Sequence, residues 1–333
     1  ILRKAMFMLT LTLAALLAIS DPQPLPSAVA QTPQSVSVAS QQVQDPEAVQ
    51  LEDITVTGRS LSDIIRRFTA EVAEPNRNRG LARWNSRICV GAVNLKAETA
   101  QYLVDRVSMV ADDLGIEAGE PGCTPNLVII ATEDGGTLAR ELVSERPRAF
   151  RMGGSGMDRG GVALDDFRNA DRPVRWWQMS MPTDSESGGR AVRLPGECVD
   201  ACSSPNDYAP LLYVNSASRL RTQIVDNIVR TIVIVDIEEV AGLSTQQLAD
   251  YIAFVSLAQI DPDADTQAYS SILNVFSNRD EVSQLTSWDL AYLRGLYGAE
   301  QNKLNGRANV AEIQSSIQRE HGRLRAEDLP ATD

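Results

Sequence analysis

The chain has 333 residues, of which 43% are apolar and 23% are charged, so it can fold around a hydrophobic core. Its formal net charge of −13 argues against a nucleic-acid-binding protein, because binding a phosphate backbone requires a clustered positive surface. The single histidine, His321, lies in a charged C-terminal segment. A Ser-His-Asp triad, a histidine zinc site and a histidine general base are therefore not expected.

Residues 1–30 have the pattern of a secretory signal peptide. Arg3 and Lys4 precede an apolar run at residues 5–19, and a small-x-small cleavage site follows at residues 28–30. The alternative is an uncleaved membrane anchor, for which the apolar run is short. No later segment of the sequence is apolar enough to cross a bilayer. We therefore expect an exported protein, periplasmic or secreted, without a transmembrane span after the signal is cleaved.

Residues 31–59 are expected to form a flexible linker, because they are rich in Gln, Ser, Pro and Val without a helical period. The sequence DITVTGR at residues 53–59 resembles the short motif near the mature N-terminus of TonB-dependent outer-membrane receptors, although the chain is too short to add their barrel. The resemblance implies docking to an envelope partner by strand addition. An ordinary strand and turn is the alternative interpretation.

Four cysteines in an exported chain predict disulfide bonds, which persist in an oxidising compartment. Of the three possible pairings, we expect Cys89–Cys123 and Cys198–Cys202. The alternative is a zinc site made of all four cysteines. Such a site requires C-x2-C pairs, whereas the close pair here has the spacing C-x3-C.

The first pairing follows from a predicted β-α-β unit. Residues 87–95 and 126–132 are patterned as strands, and residues 97–115 between them as an amphipathic helix. Both strands of a right-handed unit start at the same end of the sheet. This places Cys89 and Cys123 near neighbouring strand starts, within bridging distance.

Helices are predicted before and after this unit. Ser62 is placed to cap a first helix that ends at about Val72, and residues 137–145 are predicted as the other helix. Residues 151–207 are expected to be mostly irregular. They contain GGSGMDRGG, which matches neither the P-loop nor the dinucleotide fingerprint and is interpreted as a flexible loop.

Within the irregular region, residues 174–181 are predicted as a strand that carries Trp176 and Trp177. Neighbouring side chains of a strand point to opposite faces, so one indole should enter the core and the other should face outward. The outward indole is a candidate for lining a groove together with Tyr251, which lies in a helix predicted further along the chain.

The C-terminal half contains the helix that we expect at the centre of the core. Residues 222–236 are predicted as strands, interrupted by a hairpin turn at residues 226–227. A capping box of Ser244 and Gln247 then starts a helix that ends at about Ile260. This helix is apolar on nearly every side, which indicates that it is buried.

Two further helices are predicted near the C-terminus. Thr286 with Asp289 caps the helix in LTSWDLAYLRGLY, and Asn309 with Glu312 starts a last helix. The charged residues that follow are expected to be loose.

This order of elements resembles that of zincin-type metallopeptidases. More narrowly, it is similar to secreted bacterial families of unknown function with a metzincin-like layout. The resemblance is carried by IVIVDIEEVAGLSTQQLADYIAFVSLAQID at residues 232–261 and LTSWDLAYLRGLY at residues 285–297. It implies an α+β or α/β fold: a single zincin-like domain at residues 60–300 with a central mixed sheet, a buried core helix and a small C-terminal helical part. Residues 301–333 would add a C-terminal helix and a loose tail.

The chain lacks the zinc chemistry of zincins. They require H-E-x-x-H, because two histidines one turn apart share a helix face and the glutamate activates zinc-bound water. The corresponding helix offers Asp250, Ser256 and Gln259, and one carboxylate cannot replace three zinc ligands. We therefore expect neither a metal nor another cofactor. The sequence DPDAD at residues 261–265 lacks the glycine and glutamate of a calcium loop and is interpreted as a solvated acidic turn.

Two functions of different classes remain open. The first is a non-catalytic envelope protein that binds a protein or peptide partner in a cleft beside the buried helix. The second is a hydrolase that uses carboxylates alone, with Asp250 or Asp261 as the base. A buried Asp250 with a raised pKa in a concave pocket would favour the hydrolase. An exposed Asp250, or one paired with arginine, would favour binding. The sequence identifies neither the partner nor the oligomeric state.

Overall fold

A mostly parallel sheet of five strands organises the computed structural model, which describes residues 60–76, 79–150, 157–192 and 218–327. Strand β5 is central: β1 and β3 pair with it in parallel, β4 pairs with it antiparallel, and β2 pairs in parallel with β3. The strands are β1 (Arg83–Trp84), β2 (Val90–Val93), β3 (Leu127–Thr132), β4 (Val174–Asp184) and β5 (Ile224–Asp236).

Helices cover both faces of this sheet. One face carries the larger core, to which α1, α2, α6, α7 and α8 contribute, and the other face carries a smaller core with α3, α4 and α5. The described residues form one compact unit, so the expected α+β or α/β domain is confirmed. The helices are α1 (Leu61–Val72), α2 (Ala97–Asp113), α3 (Gly135–Glu145), α4 (Pro147–Phe150), α5 (Gly161–Asn169), α6 (Thr245–Leu257), α7 (Ser287–Gly298) and α8 (Gly306–Glu327), with a 3₁₀ helix at Ile272–Phe276.

Strand β5 is continuous where the sequence predicted a hairpin turn, so that prediction is wrong. The two polar residues that suggested a turn have partners on neighbouring segments instead. Asp226 accepts a hydrogen bond from the backbone N–H of Gly80 at 3.2 Å, and Asn227 donates from Nδ2 to Oγ1 of Thr183 at 2.6 Å. Tertiary contacts thus satisfy side chains that in isolation favour turns.

Both faces of β4 are covered, because the region after Gly160 contains a helix that the sequence analysis did not predict. Trp176 packs on the larger core, with its ring 6.2 Å from that of Tyr251. Trp177 points to the other face, where the ring of Phe167 on α5 lies 5.8 Å away. The alternation of the two indoles is as expected, but the outward one is buried under α5.

Most helix starts agree with the sequence analysis. The capping boxes of Ser244 with Gln247 and of Thr286 with Asp289 are both present. The first helix starts earlier than predicted, because Ser60 and not Ser62 accepts the N–H of the third helical residue. The last helix likewise starts before Asn309, at Gly306.

Helix α6 is the centre of the core, as its sequence predicted. Every residue from Gln247 to Leu257 is buried. Neighbouring helix α2 packs along it, and strands β4 and β5 lie beneath it. Phe254 is fully buried, with its ring 5.7 Å from that of Tyr292 on α7.

The disulfide Cys89–Cys123 is present, with a Cα–Cα distance of 6.0 Å, which confirms the first predicted pairing. It lies just before the starts of β2 and β3, as a right-handed β-α-β unit requires. The second pairing, Cys198–Cys202, falls outside the described residues, as do residues 1–59 and 328–333. Of the helices that the structure describes, none is both long and apolar enough to cross a bilayer.

We expect Phe254→Ala to lower the free energy of unfolding by about 3–5 kcal/mol, because it leaves a cavity in a closely packed core. The exposed Val162 offers a control: Val162→Ala should stay within about 0.5 kcal/mol of wild type. Chemical denaturation measures both. A nearly neutral Phe254→Ala would contradict the central position of α6.

We also expect replacement of both Cys89 and Cys123 by serine to lower the free energy of unfolding by about 4 kcal/mol. The bond closes a loop with a sequence separation of 34, which restricts the unfolded chain. Peptide mapping without reductant should recover the two cysteines in one linked pair. Free thiols at these positions in exported protein would contradict the assignment.

Candidate functional site

Asp250, the first candidate base, is paired with an arginine. Its side chain is fully buried on α6. Oδ1 accepts a hydrogen bond from Nε of Arg106 on α2, and Oδ2 accepts the backbone N–H of Leu285 at 2.9 Å. Both oxygens therefore have protein partners, and the carboxylate is not accessible to a substrate in this structure.

The other polar residues of the helix region also face inward. Ser256 and Gln259 are buried. Gln259 accepts the backbone N–H of Ala82 at 2.7 Å and donates to Oδ1 of Asn76 at 3.3 Å. Gln259 thus joins the region after the helix to the segment before β1, and neither side chain is presented to solvent.

Side chains from three elements cap the C-terminal end of α6. A helix leaves its last carbonyl groups without intrahelical partners, and buried carbonyls need hydrogen bonds. Nε2 of Gln178 donates to three carbonyls between residues 255 and 258, at 2.9–3.2 Å. Nε1 of Trp84 donates to the carbonyl of residue 256 at 3.0 Å, and the hydroxyl of Tyr297 to that of residue 257 at 2.7 Å. The helix end is closed against the sheet.

Asp261, the second candidate base, lies at the surface beside another carboxyl group. Its backbone N–H donates to the carbonyl of Val72 at 2.8 Å, which brings it close to Glu74. Burial raises the pKa of Glu74, and the neighbouring Asp261 carboxylate raises it further, while the ion pair with Arg159 opposes both effects. Glu74, which was not predicted as a site residue, is thus a carboxyl group of raised pKa beside Asp261.

The acidic turn at residues 261–265 is held by ordinary surface contacts. Oδ1 of Asp261 accepts the N–H of Asp263, whose side chain forms an ion pair with Arg172. The backbone N–H of Asp265 donates to Oε1 of Glu71 at 2.9 Å. Across the described ranges, no group of three or more acidic, histidine or cysteine side chains is arranged to hold a metal ion.

The groove expected at Trp176, Trp177 and Tyr251 is not open to solvent. These side chains are exposed by 6%, 1% and 7%, respectively. Tyr251 packs between Trp176 and Phe276, with ring centroids 6.2 Å and 5.0 Å away. The three residues form part of the core.

An open cleft of about 510 Å³ lies elsewhere, at the start of β5 and beside the connection between α7 and α8. Its volume is in the range of ligand and peptide pockets. Buried apolar side chains form part of its lining, namely Leu81, Val225, Leu296 and Ile313. Neither Asp250 nor Asp261 contributes to it.

One part of the rim of this cleft is apolar and exposed. Leu304 and Ile224 line it and are exposed by 55% and 41%. Leu220, exposed by 79%, lies next to Leu304 outside the lining of the cleft, because its carbonyl accepts the N–H of Leu304 at 3.2 Å. Clustered exposed apolar side chains of this kind mark interaction surfaces.

Two arginine side chains line the polar part of the cleft. Nε of Arg79 lies 3.0 Å from Oδ1 of Asp226, and burial raises the pKa of that aspartate. Nη1 of Arg83 donates to the carbonyls of Leu296, Tyr297 and Ala299 at 2.8–2.9 Å, which caps the end of α7.

None of these residues was predicted from the sequence to form a cleft. They come from segments near residues 80, 222 and 303 that are distant in sequence, and no motif connects them. Asp226 carried a signal, a polar residue inside an apolar strand, but the pattern was interpreted as a turn.

Comparisons with known proteins identified no relative of this chain. No protein-family model, no curated protein and no solved structure matches this chain.

The pair of Asp250 and Arg106 predicts unequal effects of mutation on stability. Arg106→Met leaves a fully buried carboxylate without its cation, which should cost about 3–5 kcal/mol. Asp250→Asn should cost less, because the Arg106 side chain is 24% exposed and stays partly hydrated. Denaturation of both variants and of the double variant measures the costs. A larger cost for Asp250→Asn would contradict this account of the pair.

Proposed function

We propose that the mature chain is an exported, non-catalytic protein of the cell envelope that binds a segment of another protein in the cleft described above. The observation that carries the proposal is the exposed apolar part of the rim, formed by Ile224 and Leu304 with Leu220 beside Leu304, at a cavity of about 510 Å³. Apolar side chains this exposed are costly to leave in water, and a partner would cover them.

The proposal includes a zincin-like scaffold that does not cleave peptides. It is supported by a buried helix after the central strand, an antiparallel strand on an otherwise parallel sheet, and the pairing of Asp250 with Arg106. The proposed compartment is the periplasm or the exterior. The Cys89–Cys123 disulfide is compatible with such an oxidising compartment.

A retention experiment tests binding against hydrolysis. Immobilised mature protein is incubated with a library of random-sequence peptides, and bound and unbound peptides are identified by mass spectrometry. We expect intact peptides to be retained, and Leu304→Asp to reduce retention at least about fivefold, because it removes apolar contact and adds a charge at the rim.

Val162→Asp is the matched control, since Val162 is 87% exposed and does not line the cleft. It should retain as many peptides as wild type. Cleaved peptides in the unbound fraction would contradict the non-catalytic function. Equal retention by wild type and Leu304→Asp would contradict the cleft as the site.

The second candidate function is a hydrolase that uses carboxylates alone. The proximity of Glu74 and Asp261 favours it, since acid and base catalysis needs two such groups and burial raises the pKa of Glu74. If the library is cleaved, Asp261→Asn and Glu74→Gln should each abolish cleavage. Cleavage that survives both changes would eliminate this candidate.

A further inference from the structure

We propose that the cleft accepts an extended peptide segment in which acidic side chains alternate with bulky apolar ones. The acidic side chains would pair with Arg79, Arg83 and Lys303, and the apolar ones would pack against Ile224 and Leu304. This inference rests on the proposed function and specifies the partner's chemistry.

The arginine side chains supply hydrogen-bond donors for which the described residues offer no acceptor. A guanidinium has five N–H donors and forms paired hydrogen bonds with a carboxylate. The contact of Arg79 with Asp226 involves Nε, and every hydrogen bond from Arg83 to a described residue leaves from Nη1. The remaining guanidinium donors at the cleft fit a carboxylate of the partner.

Three cations, Arg79, Arg83 and Lys303, and two carboxylates, Asp226 and Glu300, line the cleft, so its lining has a formal net charge of +1. Asp226 is 9% exposed, bonded to Gly80 and paired with Arg79. Glu300 contacts Lys303 at 2.9 Å and Arg221 at 3.4 Å. Lys303 also lies 3.7 Å from Glu312, so Arg83 is the lining cation that has no carboxylate partner among the described residues. The chain around this cleft has a formal net charge of −13. A locally positive cleft on an acidic protein selects acidic partners through long-range attraction.

An extended segment suits the arrangement better than a compact ligand. Successive side chains of an extended chain point to opposite sides, about 3.3 Å apart along the chain. Alternating acidic and apolar residues would therefore place one type toward the cations and the other toward the apolar rim. The cation Lys303 and the rim residue Leu304 are neighbours in sequence.

The test uses three fluorescein-labelled, amidated peptides and the mature full-length protein. The first is Gly-Glu-Leu-Glu-Leu-Gly, the second has Lys in place of Glu, and the third has Ser in place of Leu. Fluorescence anisotropy gives each Kd. We expect the first peptide to bind at least about tenfold tighter than either of the others, and its affinity to fall as salt is added.

Two variants report on the charge. Lys303→Glu should weaken binding of the first peptide about tenfold and remove the preference over the lysine peptide, whereas Lys96→Glu, exposed and outside the cleft, should change neither. Arg79→Lys keeps the charge, loses the planar fork and should weaken binding severalfold. Melting temperatures of all variants verify folding.

An equal or higher affinity for the lysine peptide would overturn the inference, and so would a preference unchanged by Lys303→Glu. If wild type still retains library peptides and Leu304→Asp does not, only the acidic specificity is wrong. If library retention is also insensitive to Leu304→Asp, the proposed function fails with it.

Discussion

The hydrogen bonds at the C-terminal end of α6 connect the main elements of this protein. The helix is buried throughout, so its last carbonyl groups have no access to water, and an unpaired buried carbonyl costs about 1–3 kcal/mol. Gln178 from β4, Trp84 from β1 and Tyr297 from α7 supply the donors. One helix end therefore fixes the position of two strands and a helix that are far apart in sequence.

The same contacts separate the core from the cleft. Trp84 caps α6, while its neighbour Arg83 caps α7 and lines the cleft, so the two residues of β1 join the buried helix to the open surface. In the core, Asp250 is the one carboxylate of α6, and it accepts hydrogen bonds from Arg106 and from the backbone N–H of Leu285. Chemistry that depends on access to α6 would have to open this packing. Binding at the cleft would leave it intact, which is why we propose a function at the outer surface.

Local signals predicted much of the fold, and tertiary contacts decided the rest. The capping boxes at Ser244 and Thr286, the apolar sequence of α6 and the strand pattern around Cys89 all act over a few residues and were interpreted correctly. The turn predicted at Asp226 was wrong, because Arg79 and Gly80 stabilise that residue inside a strand. The cleft could not be predicted, since its residues share no local pattern and meet only in the folded chain.

Hydrogen–deuterium exchange, with and without the Glu-Leu peptide, tests most directly whether α6 is a closed core element and the cleft is the binding surface. The account predicts that amides of residues 248–257 exchange only through global unfolding, in both samples. Amides at residues 79–83, 222–225 and 302–309 should exchange more slowly when the peptide is present. Exchange of α6 through local opening, slowed by the peptide while the cleft segments remain unchanged, would contradict the account.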